Sequence, residues 1–235
     1  MKPRPGIALV IASIFLAASL TGACKSEAPA GPSLAIPEII DSARHRMAAV
    51  DSFHFVLDHA GGGTPIAGGL EMEKAVGDVA RPDRLQVEIR ATLAGIKVKV
   101  KLITVGQRTY ITNPLNQRWE PLPSEFSAVS IFDPGTGVAA ILEKATNLAK
   151  LEDEKVSGHA SYHLAGEIAA EALRPITITS VEGATIDAEI WIDRQDFSLR
   201  KIELKGQITK KEKPGILRTI KLSRFDQEVS IELPE

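Results

Sequence analysis

From Ile36 the apolar side chains Ile36, Ile39, Ile40, Ala43, Met47 and Val50 recur every three or four positions, while Glu38, Asp41 and His45 fall on the other side. This spacing predicts an amphipathic helix, with Pro37 in the first turn, where its missing N–H is tolerated. From Ser52 the period drops to two. Phe53, Phe55 and Leu57 alternate with His54, Val56 and Asp58, and the glycines at 61 to 63 with Pro65 close that strand. Further strands are predicted at Leu70 and Met72, at Leu85, Val87, Ile89 and Ala91, and at Ile96, Val98, Val100 and Leu102. In the last of these Lys97, Lys99 and Lys101 form an opposite, charged face. Arg108 to Thr112 continues the series, and a turn at Asn113, Pro114 and Asn116 leads to Trp119.

A second helix is predicted after "DPGTG" at 133–137, because Val138, Ile141, Leu142, Ala145, Leu148 and Leu151 trace one stripe. Alternation then resumes near 156–165, 184–193, 199–208 and 216–233, with "DRQDFS" as the turn between two of these strands. About nine strands with short connections favour antiparallel neighbours. A sheet with one wet face must cover the other, and two helices are the only cover in the pattern. The expected fold is α+β: a strongly curved antiparallel half-barrel sheet with helices over its concave face. Two helices on so many strands leave an apolar hollow under-filled, which is where a ligand would sit.

The N-terminus follows other rules. Lys2 and Arg4 precede an uncharged run from Gly6 to Ala23, and Gly22 and Ala23 lead into Cys24, the only cysteine. This is the layout of an export signal. "LTGAC" resembles the lipobox of bacterial lipoproteins, with Thr21 where that motif usually has Leu. The resemblance implies residues 1–23 as a cleaved lipoprotein signal peptide and Cys24 as the lipidated residue; a plain signal peptide or an uncleaved anchor with a free thiol is the alternative. Residues 24–35, rich in Ala, Pro, Ser and Gly, read as a tether, and 36–235 as the folded domain. With Cys24 acylated no thiol remains for a disulfide in the exported domain.

Composition narrows the chemistry. The formal charge is −2, so no basic field points to nucleic acid. Aromatics make up only 5% of the chain, so an enclosed space is lined by aliphatic groups, which suits alkyl chains better than stacked rings. No nucleophile elbow, P-loop, dinucleotide fingerprint or H-E-x-x-H occurs. His159 and His163, four apart on a predicted strand, lie about 13 Å from each other and cannot share a metal ion. The acids Glu152, Asp153 and Glu154 lack a glycine-turned oxygen cage and read as a solvated loop. The Lys97, Lys99, Lys101 row and "KGQITKKEK" at 205–213 read as watered surface, with anionic lipid heads as the functional alternative. Trp119 and Trp191 read as core braces. No cofactor, metal or catalytic set is expected.

The order of signal, lipobox and tether, then "DSFHFVLDH", "GDVARPDRLQVEI", "GQRTYITNPLNQRWEPLP", "FDPGTGVAAILEKATNLAKLEDEKVSGHASYHLAGEI" and "IDAEIWID", resembles the LppX/LprA/LprF/LprG lipoproteins of mycobacteria and their relatives. That family is in turn similar to the lipoprotein carriers LolA and LolB. The resemblance implies a membrane-anchored, non-enzymatic carrier of lipid or glycolipid in the cell envelope, holding acyl chains in an apolar cavity. Its expected partners are that ligand, the membrane through the N-terminal anchor, and a candidate envelope transporter. An envelope protein-interaction or sensor lipoprotein on the same half-barrel is the alternative. Pattern alone selects the cavity residues: Phe53, Phe55, Leu57, Val87, Ile89, Val98, Val100 and Ile111 on strands, and Ile141, Leu142 and Leu148 on the helical lid. Plain core packing is the competing reading for each.

Overall fold

The computed structural model describes residues 34–123, 141–174 and 180–234. Cys24, the signal segment, most of the tether, the "DPGTG" loop and Val138 lie outside the described residues. The chain enters through helix α1 (Ile36–Ala48), where the Glu38 carboxylate accepts the free N–H of Ala35, one of the donors a helix start leaves unpaired. Of the predicted stripe, Ile39, Ala43 and Met47 form its buried face, with Ile36 and Ile40 half-buried beside them.

Thirteen strands follow among the described residues: β1 (Ser52–Ala60), β2 (Thr64–Pro65), β3 (Leu70–Ala80), β4 (Arg84–Leu93), β5 (Ile96–Val105), β6 (Arg108–Thr112), β7 (Trp119–Pro121), β8 (Ala145–Lys150), β9 (Glu154–Val156), β10 (His159–Ala169), β11 (Thr185–Asp193), β12 (Leu199–Lys205) and β13 (Leu217–Ser223). They form one antiparallel sheet in the order β7, β6, β5, β4, β3, β1, β13, β12, β11, β10, β8, with β2 beside β3 and β9 beside β10. The late strand β13 returns to the middle beside β1, so the sheet's two halves are joined by a long-range pairing. Register slips at Met72/Lys74, Ala165/Glu167 and Trp191/Ile192 mark bulges, which bend strands and increase twist. The result is a curved, open α+β half-barrel.

Register explains why one face is apolar. Val100, Ile89, Ala75, Leu57, Ile220, Ile202, Ile190 and Leu164 stand directly opposite one another in a row that crosses β5, β4, β3, β1, β13, β12, β11 and β10. Because side chains alternate with period two, the neighbouring positions His54, Asp78, Glu88 and Lys101 fall on the other face. There Lys97 pairs with Glu73 and Lys99 with Glu88.

Two expectations change. The stripe from Ile141 to Leu151 is helical only over α2 (Ile141–Lys144) within the described residues; Ala145 onward is β8, paired with β10, so Leu148 sits on an edge strand and not on a helical lid. Apolar residues three and four apart suit either state, Thr146 and Asn147 are poor helix formers, and the open edge of β10 supplies hydrogen bonds that a helix cannot use. Strand β13 also stops at Ser223. Arg224 and Asp226 adopt positive φ, and the tail leaves the sheet, with Ile231 buried.

Candidate functional site

The eight strand residues selected by pattern share the apolar face. Phe53, Phe55, Leu57 and Val100 are buried; Val87, Ile89, Val98 and Ile111 are only partly so. Ile141 and Leu142 of α2 are buried in the same core, and Leu148 packs on its margin from β8. Coverage of the face is uneven. Toward β10, β11 and β12 the side chains of Leu164, Ile190 and Ile202 are fully enclosed, and Met47 of α1 reaches the start of β12, where the Leu199 N–H points at its sulfur at 3.4 Å. Toward β4, β5 and β6 a separate cluster of Leu70, Ala91 and Val100 is ringed by half-buried Ile66, Ile89, Leu93, Val98 and Ile111. The cavity selection left out Met72 and Leu102, which alternation had already placed on apolar strand positions, and sequence reasoning did not name Leu93.

Recesses flank the face. One of 460 Å³ lies between α1, α2 and β8 and is lined by Ile36, Ile40, Leu142 and Leu148, closed on one side by the Arg44 and Glu143 pair. A groove of 360 Å³ runs on the outer side, where Trp119, Lys101 and the hydrogen-bonded His54 and Asp78 meet the edges of Val87 and Leu102. Trp119 is therefore a half-buried wall of that groove and not a core brace. Trp191 is buried, but on the outer face, sandwiched between His163 and Lys201 with its N–H donated to Glu154.

A polar cluster ends the apolar rows. Arg218 and His59 stand opposite each other on β13 and β1, at inward positions that the alternation reserves for apolar groups. Arg218 donates to Thr64 Oγ1 at 2.9 Å and to the Gly206 carbonyl at 3.0 Å, and pairs with Glu212 at 2.6 Å. The other Glu212 oxygen accepts the N–H groups of Ile208 and Thr209, folding the β12–β13 loop inward. His59 Nδ1 meets the Glu73 carbonyl and Nε2 meets Thr64 Oγ1, so Nδ1 carries the proton and the Thr64 hydroxyl donates to Nε2. Burial pushes the His59 pKa down, helped by Arg218 and opposed by the Glu73 hydrogen bond. The sequence signal was an arginine at an inward position of "LRTIKL", where Ile220 and Leu222 set the parity.

His159 and His163 both lie on β10. His163 bonds Glu189 at 2.8 Å and His159 lies 3.0 Å from Asp193, each serving a cross-strand contact. Among the described residues no group of three or more His, Cys, Asp or Glu side chains could hold a metal ion.

The inward face is thus largely apolar, with one half only loosely covered by the described residues and a polar cluster at one end. Known proteins share the architecture. LprF of Mycobacterium bovis superposes with a TM-score of 0.67 at 18% identity, over 85% of this chain and 96% of that one. LppX of Mycobacterium tuberculosis gives 0.60 at 17% identity, over 83% and 99%. In sequence, the lipoarabinomannan carrier protein LprG of Mycolicibacterium smegmatis is 22% identical over 99% of this chain and 98% of its own length. The family model for LppX_LprAFG lipoproteins matches residues 36–231, and the chain belongs to that family.

Proposed function

We propose that this protein binds the acyl chains of a lipid or glycolipid against its apolar sheet face and carries it within the cell envelope, without catalysing a reaction. The observation that carries the reading is the half-buried set Val87, Ile89, Val98 and Ile111: aliphatic side chains on one face of β4, β5 and β6 that the described residues cover incompletely. The LprG relative, named as a lipoarabinomannan carrier, supports the same reading.

The energetics require such a face. Moving a lipid with about 30 chain methylenes into water exposes a gross ~24 kcal/mol of apolar transfer. A dry aliphatic surface offsets most of that, and because membrane and protein are then comparable hosts, exchange runs in either direction. Donor, acceptor or consumption of the lipid sets which way it goes. A diacylglyceryl group on Cys24 would hold the carrier at one leaflet, the tether setting its reach.

Native mass spectrometry of the chain purified from a lipid-containing host tests this. The expected result is protein carrying acylated species released by organic solvent; a chain that is repeatedly empty, or that retains a stoichiometric protein partner and no lipid, overturns it.

A further inference from the structure

The sheet's connections gather at two ends, and one end is unlike the other. Leu93, which closes the tight β4–β5 turn opposite Ile96, pairs with Leu70 at the start of β3; Ala60 at the end of β1 pairs with Leu217 at the start of β13. The β4–β5 turn, the β1–β2 turn and the β12–β13 loop therefore emerge together. The β6–β7 turn joins them, because the Gln117 amide donates to the Lys99 carbonyl, three residues from Ile96 or about 10 Å along the strand.

Two of these tips carry large apolar side chains in water. Ile96, which flanks the two-residue β4–β5 turn, is 64% exposed, and Leu115, in the β6–β7 turn, is 79% exposed. Of the carboxylates at this end Glu73 is paired with Lys97, whereas Glu71, which accepts the Gly63 N–H, Glu120, which accepts the Asn113 amide, and the exposed Glu182 keep their charge. The β12–β13 loop adds the charge. Its one acid, Glu212, is turned inward to Arg218, while Lys210, Lys211 and Lys213 are exposed, and among the described residues none of the three meets a carboxylate.

We infer that this end of the half-barrel docks on an anionic lipid leaflet, with Ile96 and Leu115 entering the acyl boundary and the three loop lysines against the headgroups. Exposed apolar residues beside unpaired lysines are the pairing that holds a peripheral surface at a membrane, where burial of a few side chains adds to attraction by the surface potential. The same end borders the loosely covered cluster of Ile66, Leu93 and Val98, so the docked surface and the open half of the apolar face are adjacent.

The test uses the full chain with its own N-terminus, reconstituted in vesicles of mixed phosphatidylglycerol and phosphatidylcholine. A nitrobenzoxadiazole dye is attached at Ile96→Cys, at Leu115→Cys, or at Gln107→Cys in the β5–β6 turn of the opposite end; the unsubstituted chain gives the Cys24 background. The expected result is a blue-shifted emission at 96 and 115, quenched by doxyl-labelled lipid, with the dye at 107 reporting water. Replacing Lys210, Lys211 and Lys213 by Gln should remove most of that shift, as should vesicles of phosphatidylcholine alone. Identical, water-like emission at 96, 115 and 107 overturns the inference. The dye reads contact with the leaflet and mass spectrometry reads cargo, so the docking end and the carrier reading fail separately.

Discussion

Asp193, only 2% exposed, shows how much a single turn residue holds in place. One oxygen accepts the Gln195 N–H; the other takes Arg200 at 2.9 and 2.7 Å. Burial works against its charge, and the Gln195 amide and the Arg200 guanidinium outweigh it, holding the carboxyl below its ordinary range. A carboxyl depressed in this way contributes stability that is present above its unfolded pKa and lost as pH falls through the folded one. Asp193→Ala leaves the mostly buried Arg200 guanidinium without its main partner and should cost about 3 kcal/mol in urea unfolding near neutral pH. His59 has the same sign but acts in a higher pH window. Its pKa is lowered from 6.5, so the unfolded chain binds the extra proton first, and stability falls as pH drops from about 6.5 toward the lower folded value. Thermal melts across that window should show His59→Gln with a flatter slope than the wild type.

Among the elements, β3 is the one most constrained by a single position. Gly77 lies opposite Phe55 and Val87 on the apolar face, and a Cβ there would stand 2.8 Å from Phe55 Cε1 and 2.2 Å from the Gln86 carbonyl oxygen. Glycine at this strand interior marks a close approach, with the Phe55 ring lying over it. Gly77→Val should expel the ring, open the β3–β4 pairing and lower the Tm by roughly 10 °C in a calorimetric scan. At this scale the sequence was legible where alternation was clean. "IKVKVKL" states its strand and both its faces, and "IPEIIDSARHRMA" states α1. It was illegible at β8, where the same apolar spacing fits a helix stripe and an edge strand, and only the available edge of β10 decides between them.

For the whole molecule the informative contrast is between the enclosed half of the apolar face and the open one. If the open half holds cargo, a bulky group there competes with lipid while leaving the packed half alone. Val98→Trp should abolish co-purifying lipid and shift the Tm by no more than a few degrees, because Val98 is half-buried and has room on one side. Mass spectrometry and a thermal melt on the same preparation measure both. A variant that keeps its lipid would place the cargo elsewhere, for example in the 460 Å³ recess beside Leu142 and Leu148.

The sequence by itself determined the local periods, which face of most segments is apolar, and that the interior is lined mainly by aliphatic side chains, with Phe53 and Phe55 among them. These follow from alternation at period two or near 3.6 and need no partner. Only the tertiary structure decided which strands pair, that β13 returns beside β1, where coverage of the apolar face runs out, and that Arg218, His59 and Glu212 meet at its end. The joint between the sheet's halves is a long-range matter: β1 and β13 pair across more than a hundred residues, and a period read along the chain carries no information about that partner.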